Sequence, residues 1–121
     1  MDMSADPARG VHSPDIVLGD RFGVSCHPSV TALAETCLRR QGYRVARNAP
    51  FAGGHTTQSY GRPNHHVHAL QIEINRALYM DEREYHRSAR FEYVRADLGR
   101  MLAKLAVETA KGISPLRDAA E

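Results

Sequence analysis

The chain has 121 residues, of which 42% are hydrophobic and 25% charged, with a formal net charge of +2. These values are ordinary for a soluble globular protein and fit one small domain or part of a larger one. The basic residues are scattered, and no stretch approaches the roughly 20 apolar residues of a membrane span. We therefore expect no nucleic-acid partner and no membrane partner.

The cysteines and the polar N-terminus bear on the compartment. Cys26 and Cys37 are too few for a disulfide scaffold, and the N-terminus contains no apolar signal core. We expect reduced thiols and a cytoplasmic protein. We interpret residues 1–13 as a flexible lead-in, residues 14–112 as the folded region and residues 113–121 as a frayed tail.

The folded region begins with the pattern of a strand, a helix and a second strand. Residues 15–19, DIVLG, are apolar, β-branched and closed by a glycine, which is typical of a buried strand. Apolar residues at helical spacing follow over residues 30–38, with Ser29 as the expected N-cap and Gly42 as the expected C′ residue. Residues 43–48 alternate as a strand does. The segment therefore predicts a βαβ unit with parallel strands.

The next segment is rich in turn residues and leads into a strand. Residues 49–66 contain two prolines and three glycines, which predicts a loop without regular structure. Residues 67–75, VHALQIEIN, alternate between an apolar face and a face that carries Gln71, Glu73 and Asn75. We expect this strand to be central in its sheet.

A long helix is expected at the end of the folded region. The prediction covers residues 88–111, with one apolar stripe along it. The stripe consists of Phe91, Val94, Leu98, Met101, Leu102 and Leu105. Together the elements predict an α/β fold with a mostly parallel sheet and flanking helices.

Glu73 is the most informative residue of the chain. It lies in an apolar strand, where an unpaired carboxylate is costly, so it needs a partner or a cleft. A glutamate in such a strand is a candidate general acid or base. The alternative is an ion pair with Arg76 or another arginine, and the spacing does not decide between the two.

The loop segment FAGGHTTQSYGRP at 51–63 is a second candidate. The paired glycines Gly53 and Gly54 allow the backbone to approach a ligand closely. The alternative is a surface loop, since loops carry polar residues routinely. The segment also holds a histidine and two hydroxyl groups, at His55, Thr56 and Thr57.

Asp20 and Arg21 follow the first strand. In α/β sheets, polar ligands bind at the carboxyl ends of strands, so both side chains are candidates. The alternative is a turn in which Asp20 accepts hydrogen bonds from nearby backbone amides. The histidine run at residues 65–68, HHVH, lacks zinc-finger spacing, and we interpret it as the joint between loop and strand.

Three segments resemble the C-terminal part of N-formylglutamate amidohydrolases. They are PDIVLGDRFG at 14–23, NAPFAGGHTTQSYGRP at 48–63 and VHALQIEINRALYMDE at 67–82. Their order matches, the third is specific, and the resemblance spans roughly residues 14–110. It implies a partial phosphorylase/hydrolase-like fold of the zinc carboxypeptidase type.

The resemblance also implies an activity. Members cleave N-formyl-L-glutamate to formate and L-glutamate in histidine degradation, with a metal-activated water and a strand glutamate as proton shuttle. Glu73 occupies that place, and Arg21, Arg62 or Arg76 are candidates for the substrate carboxylates. The substrate would be a small N-formyl amino acid. The other residues implied to line its pocket are Asp20, Gly53, Gly54, Thr56, Thr57 and Asn75.

Zinc is implied as the cofactor, but its ligands are expected upstream of the resembling segments. His12 lies near the expected position without the ligand motif of the family. We therefore expect no complete metal site in this chain, with His55 as a weak candidate ligand. Alternatives to an enzyme are a non-catalytic remnant or binding module, and one half of a split enzyme, with self-association or a partner chain completing the fold.

Overall fold

The computed structural model describes residues 13–50 and 52–111. The expected tail, and the expected lead-in apart from Ser13, lie outside these residues. The elements in chain order are β1 (Ile16–Gly19), α1 (Pro28–Arg40), β2 (Val45–Arg47), α2 (His55–Tyr60), a 3₁₀ turn (Pro63–His65), β3 (Gln71–Ile74), a second 3₁₀ turn (Arg76–Leu78), β4 (Met80–Asp81), β5 (His86–Arg87) and α3 (Phe91–Ala110).

The main sheet has three strands in the order β2-β1-β3. β1 and β2 are parallel, which confirms the predicted βαβ pairing, whereas β1 and β3 are antiparallel. The expected mostly parallel sheet is therefore wrong, because the described sheet is mixed. The expected central position of the Glu73 strand is also wrong. β1 is central and all four of its residues are buried, whereas β3 lies at an edge of the described sheet.

One face of the sheet is covered by both long helices. Ile16 and Leu18 of β1 are fully buried there, and Ile72 of β3 packs against the same cluster. The remaining buried members of this core are Ala34, Leu38, Tyr43, Val45, Val94 and Met101. The side chains of Val17, Gln71 and Glu73 belong to the opposite face, since they alternate with the core residues along the strands.

Helix α1 is bounded as its sequence suggests, with one correction. The N-cap is His27, whose Nδ1 accepts a hydrogen bond from the amide of Ser29 at 3.1 Å, so the expected cap at Ser29 is wrong. Pro28 lacks an N–H and suits the first helical position, which places the cap before it. At the other end Gly42 has φ +96° and its amide donates to Arg39, as the prediction of a C′ glycine requires.

Three expected boundaries differ from the structure. Residues 55–60 of the expected loop form helix α2, and the strand expected over 67–75 is paired only over Gln71–Ile74. Helix α3 begins at Phe91, after a hairpin of β4 and β5 that the sequence did not predict. Leu102 is 54% exposed and does not belong to the buried stripe.

No helix in residues 13–50 and 52–111 combines the length and apolar character that a membrane crossing requires.

Candidate functional site

Glu73 is buried on the face of the sheet opposite the helices. It lies across from Val17 in the antiparallel pair and is 8% exposed. Its Oε1 accepts a hydrogen bond from Nε2 of Gln71 at 3.0 Å. Burying a carboxylate is costly unless polar groups compensate it, and the Gln71 side chain supplies one such group. That the carboxylate opens on a cleft stays a prediction.

Gln71 joins Glu73 to the glycine loop. Its Oε1 accepts a hydrogen bond from the amide of Gly54 at 3.0 Å, while its Nε2 donates to Glu73. Residues 71 and 73 are two apart on one strand, so their side chains share a face. The loop, the strand and the buried carboxylate are therefore connected by one side chain.

Gly53 is required by close packing at the start of α2, whereas a Cβ on Gly54 would meet only Gln71 Oε1, at 3.6 Å. Gly53 has φ +124°, and a Cβ there would lie 2.5 Å from Oγ1 of Thr57. The Thr57 hydroxyl is buried and donates to the carbonyl of Gly54 at 2.8 Å. Gly54 has its amide directed to Gln71. Thr57 is thus packed against the fold, whereas Gly54, His55 and Thr56 lie exposed, as in the surface-loop alternative.

The same loop packs on the end of β1. The amide of Arg21 donates to the carbonyl of Ala52 at 2.8 Å, and its Nη1 donates to the carbonyl of Gly53 at 3.3 Å. A Cβ on Gly19 would lie 2.8 Å from the carbonyl carbon of Ala52. Arg21 and the two loop glycines therefore form one cluster at this end of the sheet.

Asp20 is buried and both of its carboxylate oxygens have partners within the fold. Oδ1 accepts from the amide of Gly23 at 3.1 Å and from Nδ2 of Asn48 at 2.9 Å, while Oδ2 accepts from the Thr31 hydroxyl at 2.9 Å. This geometry matches the turn-stabilising alternative that the sequence left open. Asp20 holds the turn that carries Arg21.

Sequence similarity relates this chain to known proteins. The sequence model described as N-formylglutamate amidohydrolase matches residues 1–80. The chain belongs to this family. An N-formylglutamate deformylase of Pseudomonas aeruginosa is 45% identical over 86 residues, which are 70% of this chain and 30% of that protein. An N-formylglutamate deformylase of Pseudomonas putida is 42% identical over 72 residues, 59% of this chain and 27% of that protein.

A solved structure shows the same fold. The crystal structure of N-formylglutamate amidohydrolase from Ralstonia eutropha JMP134 has a TM-score of 0.80 and 38% sequence identity, and the match covers 89% of this chain and 38% of that one. The structural likeness therefore extends beyond the 80 residues that the family sequence model matches. The matched regions span 27–38% of the length of these three relatives.

The family resemblance implies zinc, and the described residues do not fit it on their own. They contain no group of three or more His, Cys, Asp or Glu side chains placed to hold a metal ion. His55 lies exposed on α2, with its ring nitrogens 3.3 and 3.5 Å from the Ser59 hydroxyl. Nδ1 of His68 accepts from the amide of His27 at 3.0 Å, so it is engaged in the fold.

The remaining predicted pocket residues of this amidohydrolase-family chain are dispersed. Asn75 follows the far end of β3, where its Oδ1 accepts from the amide of Ala77. Arg76 beside it lies 3.6 Å from Glu82. Nη1 of Arg62 donates to the carbonyls of Gln58 and Gly61, and Thr56 is exposed on α2.

The structure groups Arg21, Gly53, Gly54, Thr57 and Glu73, and it places Asn75 and Arg76 at the opposite end of β3.

Two polar residues of this cluster were not singled out from the sequence. Gln71 shares a face with Glu73, and that two-residue spacing was the available signal. Asn48 has φ +59°, and its Oδ1 accepts from the amides of Asp20 and Phe22. Asn tolerates the left-handed region better than most residues, so an Asn just after a strand was a weak signal for it.

Proposed function

We propose that the chain carries the proton-transferring part of an N-formylglutamate amidohydrolase site, with Glu73 as its catalytic group. The observation that supports this most is the buried Glu73 carboxylate, linked through Gln71 to the paired-glycine loop. A buried carboxylate held beside a backbone that can approach a ligand closely suits proton transfer to and from a small amide.

The proposed reaction is hydrolysis of a formamide. A water oxygen attacks the formyl carbon, the C–N bond breaks, and the products are formate and the amine of glutamate. Glu73 accepts the proton that the attacking water loses and delivers it to the departing nitrogen. A positioned general base of this kind contributes about 10²–10⁴-fold to the rate.

The substrate carboxylates would be bound by Arg21, with Gly53 and Gly54 forming the wall beside it. The Arg21 guanidinium already lies against the Gly53 carbonyl, and its planar fork matches a carboxylate. Asp20 acts indirectly, because its oxygens hold the turn that positions Arg21. Arg62, Arg76 and Asn75 are further candidates for substrate binding. They would contact other parts of a larger substrate, or would line other parts of a completed pocket.

We propose that zinc ligands come from outside the described residues, supplied by a partner chain or by further chain. Four exposed apolar side chains near the paired-glycine loop support the proposal of a partner that covers this surface. The two segments that carry them contact each other at Ser25, where Gly61 packs so closely that a Cβ on it would lie 2.4 Å from the Ser25 carbonyl oxygen. These side chains are Phe22 at 78%, Val24 at 69%, Tyr60 at 66% and Val67 at 50% exposed.

A first experiment uses the purified chain alone. With added zinc we expect weak metal binding by calorimetry and no release of formate from N-formylglutamate, because a catalytic zinc needs about three protein ligands. Robust formate release that is abolished by Glu73→Gln would contradict the proposed origin of the ligands. It would place them within this chain and direct attention to His55, His66 and His68.

A second experiment tests Glu73 in a complete site. The 86 residues of this chain that match the Pseudomonas aeruginosa deformylase replace the corresponding segment of that protein, and the chimera is assayed for formate. We expect Glu73→Gln to lower kcat about 10²–10⁴-fold. The control is Glu84→Gln, an exposed carboxylate in the hairpin turn, which should leave kcat unchanged. A folded, active chimera that tolerates Glu73→Gln would remove Glu73 from the mechanism.

A further inference from the structure

The two edges of the main sheet differ in their protection. At β2 the carbonyl of Val45 accepts a hydrogen bond from Nη2 of Arg39 at 2.9 Å, and the strand ends in the exposed Arg47. Charged side chains of this kind hinder the pairing of a further strand with an edge. β3 contains no basic residue and no proline, and its one charged residue, Glu73, is buried. Within residues 13–50 and 52–111 no strand covers the outer edge of β3.

Alternate residues of β3 direct their backbone groups to this outer edge. The amide of Asn75 donates to the carbonyl of Asp15 at 2.8 Å, so residue 75 is a hydrogen-bonded position of the antiparallel pair with β1. Such positions alternate along the strand, and the odd-numbered residues of β3 therefore bond to β1. The N–H and C=O groups of Ile72 and Ile74 consequently point away from β1, toward the outer edge.

The side chains of these outward-directed residues are apolar. Ile72 and Leu70, which is in phase with it, pack against the helix-covered core. Ile74 lines an apolar cavity of about 180 Å³ between the strand and α3, and a cavity of this size accommodates a hydrocarbon group. The other lining residues are Tyr79, Phe91, Val94, Arg95 and Leu98.

We propose that β3 pairs with β3 of a second copy of this chain, antiparallel and centred on Ile72. In this register Ile72 lies opposite the partner's Ile72, and Leu70 lies opposite the partner's Ile74. Gln71 lies opposite the partner's Glu73, on the other face. The outward N–H and C=O groups of the two strands then face one another as donors and acceptors, in an isologous interface.

The order of side chains along β3 favours this register. Apolar side chains meet apolar ones on the helix-covered face, where the partner's Leu70 comes beside Ile74 and its cavity. On the opposite face an amide meets a carboxylate. Moving the centre by one residue to Glu73 would place two carboxylates directly opposite each other, which is destabilising. The strand is therefore complementary to itself in one antiparallel register.

The first test measures the mass of the full chain in solution. Sedimentation velocity should show a monomer and a dimer in exchange as the protein concentration rises from about 1 µM to about 1 mM, the range in which a weak interface associates. A chain that stays monomeric throughout this range overturns the proposal.

The second measurement identifies the surface that a dimer uses. Non-hydrogen-bonded positions of an antiparallel pair have Cα atoms about 4.5 Å apart, so the α protons of Gln71 and the partner's Glu73 should give an intermolecular NOE. A mixture of isotopically labelled and unlabelled chains detects it. A dimer without this NOE associates through another surface, such as the exposed side chains of Phe22 and Tyr60, and overturns the proposal.

A matched pair of variants tests the backbone pairing itself. Ile72→Pro removes an outward N–H, and proline is tolerated on an edge strand where the N–H faces away from the sheet. Since two symmetry-related hydrogen bonds are lost, the dimer Kd should rise at least about tenfold. Ile72→Val keeps the N–H and the β-branch, and its Kd should stay within about twofold of the wild type.

Circular dichroism establishes that both variants are folded. A folded Ile72→Pro that dimerises as readily as the wild type overturns the proposal. If Ile72→Pro does not fold, the NOE in the wild type decides by itself. None of these measurements requires turnover, so they test the edge of β3 separately from the proposed role of Glu73.

Discussion

On one face of the sheet, Ile16 and Leu18 pack against the apolar sides of α1 and α3. On the other face, Gly19 and Gln71 contact the paired-glycine loop, and Gln71 in turn donates a hydrogen bond to Glu73. The first face is stabilised by the removal of apolar side chains from water, which requires volume and tolerates changes of shape. The second face depends on close backbone approach and on hydrogen bonds with defined donors and acceptors. Fewer substitutions should therefore be tolerated on this second face, and the structural changes that they cause should be local.

The largest expected effect lies on the helix-covered face. Leu38 is fully buried between α1 and the sheet, so Leu38→Ala should lower the free energy of unfolding by about 2–5 kcal/mol through lost burial and a residual cavity. Urea denaturation measures it. Leu102→Ala is the matched control, because Leu102 is 54% exposed and should cost less than about 0.5 kcal/mol. Equal losses for the two variants would mean that α3 is packed differently.

A smaller effect is expected on the loop side, where space limits the backbone. A Cβ on Gly61 would lie 2.4 Å from the carbonyl oxygen of Ser25, so Gly61→Ala should force the loop away and cost about 1–3 kcal/mol. Gly99→Ala is the matched control, since nothing lies within 4 Å of its Cβ and helix α3 should gain about 0.5–1 kcal/mol. Thermal denaturation of both variants checks the opposite signs. A neutral Gly61→Ala would show that the loop is not packed on Ser25.

The two sides should also lose stability at opposite ends of the pH scale. On the helix side, burial and the Asp97 carboxylate, which accepts a 2.5 Å hydrogen bond from the hydroxyl, raise the pKa of Tyr43 from 10.0 to about 12. Because the folded-state pKa is above the unfolded one, this stability is complete below pH 10 and is lost as the pH rises toward 12. The variant Tyr43→Phe should be about 1 kcal/mol less stable at neutral pH and lack this alkaline loss. Denaturation at pH 8 and pH 11 distinguishes the two proteins.

The smallest effect is expected in acid, at the joint before β3. Burial, with smaller contributions from His27 and His66, lowers the pKa of His68 below its ordinary value of 6.5. Its neutral Nδ1 accepts from the His27 amide, so this contribution is complete above pH 6.5 and is lost as the pH falls through the folded-state pKa. Amide exchange at His27 should rise in acid before global unfolding. Simultaneous loss of all protected amides would contradict a local effect.

Local chemistry in the sequence was sufficient for several elements. The apolar run at Ile16–Gly19 predicted a buried strand, the spacing from Val30 to Leu38 predicted α1, and Gly42 predicted its end. The segment LQIEIN predicted a strand with a buried carboxylate, because an acidic residue among apolar neighbours must be compensated. Each of these depends on interactions within a few residues, which the order of the chain determines.

The tertiary structure determined how the strands pair and which hydrogen-bond partners the side chains have. Strand direction at β3 and its place at the sheet edge depend on which strand it meets, and LQIEIN reads the same in either arrangement. The Gly54 amide donates a hydrogen bond to Gln71, 17 residues away in the sequence, and the Asn48 side chain donates one to Asp20, 28 residues away. No local sequence pattern predicts either contact. The sequence thus determines which residue types are available to the site. Which of those side chains stabilise the fold, and which remain available for chemistry, depends on the distant backbone atoms that each side chain contacts.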